Sequence, residues 1–168
     1  MTDTTTLTPA RLWKQMTGEQ RQRAAHTFWE DPDAADDQVQ AAFLIAQQKK
    51  FRVKTVIGLD LDRKAKHLAT LGALPDPLAA RALILYHLAD HRAMMGAFLD
   101  ALGITHENGL IQEDEVKPDA AKIAPAAAQI ATRFPADDVR LYLNTLLCQD
   151  PDTWGALRGL PQLEPALA

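Results

Sequence analysis

His87 and His91 stand one helical turn apart with Asp90 beside them, the densest group of chemistry-bearing side chains in the sequence. Imidazoles at i and i+4 on one helix can share a metal ion, and a neighbouring carboxylate can orient a ring or exchange a proton. The pair belongs to an apolar row, Leu83, His87, His91, Met94 and Phe98, spaced by three or four residues. Such a row also describes a helix face packed in a core, where histidine takes a carboxylate, a tyrosine or a backbone carbonyl as its partner. Tyr86, Asp90 and Arg92 are close enough in sequence to serve. His87, Asp90 and His91 are therefore the candidates for a metal-dependent or acid–base site, and core packing is the stronger expectation.

The string His87-Leu88-Ala89-Asp90-His91 resembles the H-x-x-E-H pattern of inverzincin proteases, with Asp where that pattern has Glu. The shorter carboxylate would sit differently over a metal-bound water. No second helix offers a clear third ligand, and His67 and the pair His106-Glu107 are the remaining choices. No metal or other cofactor is expected on these grounds.

A second group is basic. Lys49, Lys50, Arg52, Lys54, Arg63, Lys64 and Lys66, set against Asp60 and Asp62, give residues 49–66 a net charge of +5. The remainder of the chain then carries -9 within a total of -4. That asymmetry fits a site for an anion, a nucleic acid or an acidic partner, or a solvated face paired with the protein's own acids. Phe51 is the one aromatic in the run, so stacking on bases has little support and nucleic acid is not the expected partner.

A third group is acidic: Glu107, Glu113, Asp114 and Glu115 fall in one connector with His106. Four carboxylates could hold a hard cation, but their spacing does not fit a calcium-binding loop. Cys148 follows Leu146 and Leu147, which points to a buried, inert thiol. The sequence contains no Gly-rich phosphate loop, dinucleotide fingerprint or nucleophile elbow.

The elements that carry these residues are marked by capping residues and prolines. Thr8-Pro9 and Asp76-Pro77 put a capping side chain before a proline, and Thr17-Gly18-Glu19-Gln20 reads as a capping box. Asp137 and Asp138 after Pro135 suit a helix N-terminus. Leu71-Gly72 and Leu102-Gly103 suit helix ends, and Asn108-Gly109 is a turn signal. These marks predict helices over 9–16, 18–30, 34–50, 62–71, 77–90, 92–102, 119–133 and 136–148, with a further turn near 151–157. Phe51 to Val56 alternates apolar and polar residues as a strand would, but has no partner strand, so it is expected as a helix end or an extended connector.

The predicted fold is all-α, a single domain over 8–158 built as a bundle of about eight helices around a buried central helix, 77–90. That helix is apolar on nearly every side. Residues 1–7 are expected to be flexible, and 159–168, broken by Pro161 and Pro165, to form an extended tail. A single cysteine, the lack of a signal-like start and the lack of a long apolar run make a cytoplasmic, membrane-free protein the expectation.

The functional expectation is a non-enzymatic interaction or regulatory module, with a protein partner or a second copy of itself as the binding partner. The alternatives are a metal-dependent or acid–base enzyme using His87, Asp90 and His91, and anion or nucleic-acid binding through the 49–66 run.

Overall fold

In a computed structural model of the chain, residues 7–163 are described. They form nine α-helices, two short 3₁₀ turns and one small hairpin, an all-α fold. Among the described residues no helix is long and apolar enough to cross a membrane. The chain groups into two compact units that meet at Ala89/Asp90.

In the first unit, α1 (Pro9–Gln15) starts where expected. The Thr8 hydroxyl accepts from the Arg11 N–H, and Pro9 takes a position that needs no donor. Asp76 does not cap its own helix. Its carboxylate accepts from the Ala10 N–H at 3.0 Å and so ties the start of α6 (Asp76–Asp90) to that of α1. α2 (Gly18–Glu30) opens on the full capping box between Thr17 and Gln20. Its C-terminal carbonyls, at Phe28, Trp29 and Asp31, accept from the amide of Gln38 on α3 (Ala35–Lys49).

α2 packs along α5 (Leu61–Ala69) through small side chains, Ala24 and Ala25 against a face that buries Ala65, Leu68 and Ala69. At the edge of this packing His26 bridges Glu30 at 3.0 Å and Asp62 at 3.4 Å. Lys50 ends α3 in a left-handed conformation, with φ at 59°. Phe51 and Arg52 then turn the chain into α4 (Val53–Ile57). The alternating stretch is thus largely a helical turn: Val56 is its one buried residue, and the pattern is too short to fix a period.

α6 is buried along Leu78, Ala79, Ala82, Leu83, Tyr86 and His87. It is not buried all round. Arg81 is exposed and bonds Asp37 of α3 at 2.9 Å, and Ile84 keeps 39 % of its surface. A unit of this size has too few elements to wrap a helix on every side.

In the second unit, α7 (Arg92–Leu102) buries Met94, Met95, Phe98 and Leu99 and ends on Gly103 in the left-handed conformation. The only strands among the described residues follow: β1 (His106–Glu107) and β2 (Leu110–Ile111), antiparallel across Asn108-Gly109. Both turn residues have positive φ, 51° and 89°, as a two-residue hairpin turn demands. The strand pair therefore forms at the turn signal and not at 51–56.

α8 (Ala120–Ala131) carries Pro125 inside it, with Ile123, Ala126, Ala127 and Ile130 buried. α9 (Ala136–Gln149) buries Val139, Leu141, Tyr142, Leu143 and Leu146. Phe98 meets the rings of Tyr142 and Trp154 at 5.8 and 6.0 Å, the aromatic centre of this unit. The described part of the C-terminal segment, 159–163, turns back instead of running extended. Leu163 is buried and its carbonyl accepts from the Asn144 amide. The expected flexible start at 1–6 and the end of the tail at 164–168 lie outside the described residues.

Candidate functional site: a cationic corner with exposed apolar side chains

A helix boundary falls within the histidine group. α6 ends at Asp90, and His91 is the N-cap residue of α7 with φ -121° and ψ 15°. The expected continuous stripe through His87, His91, Met94 and Phe98 therefore does not lie on one helix. His87 belongs to the first unit, buried, with its ring stacked on that of Tyr86 at 6.0 Å. Asp90, an exposed residue, and His91 belong to the second. His91 is buried, with Nε2 3.4 Å from the Asp138 carboxylate in the first turn of α9. That contact ties the start of α7 to the start of α9. The carboxylate partner is Asp138, which the local sequence did not suggest.

His106 is also committed to the fold. Its Nδ1 accepts from the Gly109 N–H at 3.1 Å, so Nε2 carries the proton that it donates to Asp100 at 2.7 Å. Both ring nitrogens are engaged. Gly96 provides the room: a Cβ there would lie 3.2 Å from the His106 ring. Asp114 and Glu115 of the acidic connector line an open groove of about 570 Å³ with Asp150, Asp152 and Lys117. Asp150 is held below the usual carboxylate range by the Thr153 hydroxyl and N–H, so that carboxylate already serves as a local cap. Among the described residues no three His, Cys, Asp or Glu side chains are grouped to hold a metal ion. Cys148 is half-buried.

The basic group lies wholly within the first unit. Lys49 closes α3 and its ammonium donates to the Thr70 hydroxyl at 3.2 Å. Lys50, Arg52 and Lys54 follow on the corner and α4, all exposed. Arg63, Lys64 and Lys66 come from α5. Lys64 lies over the Trp29 ring at 5.4 Å, and Arg63 stands 3.7 Å from Asp60. Among the described residues Arg63 is the one cation of the seven with a carboxylate partner. The expected pairing with the protein's own acids is thus mostly missing.

His67 senses the result: burial, then Lys49, then Lys66 push its pKa below the ordinary value of 6.5. The Phe51 ring meets the His67 ring edge-on at 5.3 Å. Large apolar side chains on α3, α4 and the turn between them also face solvent. On α3, Val39 and Phe43 are exposed at a spacing of four, and Phe43 keeps 58 % of its surface. Phe51 keeps 40 % and Ile57 on α4 keeps 52 %. Charge asymmetry made the cations legible in the sequence. The exposure of Val39, Phe43 and Ile57 was not legible, because composition does not say which face of a helix is left without a neighbour.

Set beside known proteins, the chain matches no family model, no curated protein and no solved structure.

Proposed function

We propose that the chain is a binding module whose first unit takes an acidic, amphipathic segment of a partner protein on the α3–α4 corner. The observation that carries this reading is that exposed apolar side chains and cations without a carboxylate partner occur together in one stretch, from α3 to α5. Phe43, Phe51 and Ile57 expose apolar area, and Lys50, Arg52, Lys54 and Lys66 have no carboxylate partner among the described residues. Either alone is ordinary on a protein surface. Together they match a ligand with apolar anchors flanked by carboxylates, which removes the apolar area from water and neutralises the cations in one contact. Nucleic acid fits less well, because the remainder of the chain carries -9 and would repel a phosphate backbone.

The test uses a fluorescein-labelled peptide of about 16 residues, with Leu at every third or fourth position and Glu between. Anisotropy should report saturable binding that weakens as salt rises. Replacing Lys50, Arg52 and Lys54 together by Gln should weaken it about tenfold, since exposed ion pairs contribute about 0.2–1 kcal/mol each. Phe43→Ser should weaken it comparably at any salt concentration. Binding as tight as wild type in either variant, or a flat salt response, refutes the proposal. So does a stable dimer that masks Phe43 in sedimentation velocity, since the occupant would then be a second copy of this chain.

A further inference from the structure

We propose that Asn108-Gly109 is a latent deamidation site, held closed by a clamp that His106 and Arg92 place on the two ends of its peptide bond. The site belongs to the second unit and is independent of the α3–α4 corner reading. An exposed asparagine before glycine is open to attack by the backbone that follows it, because glycine has no Cβ to obstruct its own nitrogen. Asn108 is exposed and Gly109 follows it. In the reaction the Gly109 nitrogen gives its proton to a solvent base and bonds to Asn108 Cγ. The Cγ–Nδ2 bond breaks, and the amide nitrogen takes a proton back from solvent and leaves as ammonia. Water then opens the resulting succinimide. Opening at Cγ leaves aspartate, and opening at the main-chain carbonyl leaves isoaspartate, with the chain running through Cγ. The net change is water in and ammonia out.

The folded turn withholds the geometry that this ring closure needs. Positive φ at both Asn108, 51°, and Gly109, 89°, makes the turn type I′. Asn108 ψ in such a turn is about +30°, which points the Gly109 nitrogen away from the asparagine side chain, whereas closure needs about −120°, the value of a type II′ turn. A flip of the peptide bond between the two residues converts one turn into the other. Both ends of that bond are held. The Gly109 N–H donates to His106 Nδ1 at 3.1 Å, and the ring is itself fixed by Asp100 at 2.7 Å. The Asn108 carbonyl oxygen accepts from Nη1 of Arg92, the first residue of α7, at 3.1 Å. A flip breaks both bonds and turns each group away from its partner. Gly109 is also buried against α7, so close that a Cβ would lie 2.8 Å from that of Met95. The clamp therefore protects the hairpin, because isoaspartate would add a main-chain carbon to a two-residue turn and break the register that pairs Glu107 with Leu110.

The experiment incubates the full chain in mildly alkaline buffer, folded and in guanidinium chloride, and follows residue 108 by peptide mapping and isoaspartate-specific methylation. The folded chain should convert at least about tenfold more slowly than the unfolded one, since the flip must break two hydrogen bonds at once. His106→Phe and Arg92→Met each remove one end of the clamp and should each raise the folded rate about three- to tenfold. Ile130→Val is the control. It loosens the core of the same unit, touches neither bond and should raise the rate less than either clamp variant does. A folded rate equal to the unfolded one overturns the proposal, as does an unchanged rate in either clamp variant. Equal acceleration in Ile130→Val also overturns it, because the reaction would then run in globally unfolded molecules. So does a lack of conversion in the unfolded chain. The comparison of folded with unfolded wild type does not depend on how any variant folds.

Discussion

Gly109→Ala should destabilise the second unit by about 2–5 kcal/mol, and the hairpin geometry supplies the components. Gly109 has φ at 89°, a region where an L-residue is disfavoured by about 1–2 kcal/mol. A Cβ placed there would also lie 2.8 Å from the Met95 Cβ, 3.1 Å from its Cε and 3.3 Å from the Arg92 carbonyl oxygen. The first contact is shorter than any Cβ tolerates, so α7 or the hairpin must move, an overpacking of about 1–3 kcal/mol. Gly103→Ala is the control. Its φ is 71°, but nothing lies within 4 Å of the added methyl, so only the conformational part applies. In urea followed by circular dichroism, Gly109→Ala should lower the midpoint by on the order of 1–2 M, clearly more than Gly103→Ala does. Met95→Ala should not rescue Gly109→Ala, because alanine keeps the Cβ that clashes. Equal losses for the two glycines would refute the packing of the hairpin on α7.

Three further outcomes follow from the same reasoning. Thr17→Ala removes the hydroxyl that accepts from the Gln20 N–H, and should destabilise by about 1 kcal/mol in thermal or urea unfolding. Phe98→Ala, at a side chain with no exposed surface, should destabilise by about 3–5 kcal/mol, while Phe43→Ala should stay within about 0.5 kcal/mol of wild type. His67 should titrate below 6.5 by NMR, and its pKa should rise in Lys49→Gln and, by less, in Lys66→Gln. Because the folded value is the lower one, the stability linked to His67 is complete above 6.5. It declines as pH falls from there through the folded pKa, and both lysine variants should shrink that decline.

Helix starts were the most legible part of the fold, because caps and prolines act locally. Thr8-Pro9, Thr17 with Gln20, and Pro135 each mark a helix start within a residue or two. Asp76 shows the limit: it looks like a cap for α6 but bonds the Ala10 N–H, which only the tertiary approach of α1 makes available. The alternation at 51–56 was ambiguous because Val53 and Val56 also satisfy an i, i+3 helical spacing, and Val56 is the side chain that gets buried. Asn108-Gly109 announced the hairpin, but flanking strands of two residues are too short to show a period. Pro125 went unmarked as an interior residue. Losing one ladder hydrogen bond disfavours a helix, but burial of Ile123, Ala126, Ala127 and Ile130 outweighs it.

The sites divide in the same way. The 49–66 cations were legible as a group because they are close in sequence and all lie on α3, α4, α5 and the turns between them. His87 and His91 are close in sequence, but a helix boundary falls at His91, so one continuous helical face does not place them together. A cleft lined by Trp13, Arg21 and residues 69–72 gave no sequence signal, since its walls come from segments far apart along the chain.

The central claim is that acidic, apolar segments dock on the α3–α4 corner, and chemical-shift mapping with the Leu/Glu peptide on the isotopically labelled chain tests it most directly. The account predicts shifts concentrated at residues 39–57 of the first unit, with the pKa of His67 rising as peptide carboxylates offset Lys49 and Lys66. Shifts concentrated in the second unit, or a His67 titration unmoved at saturating peptide, would contradict it.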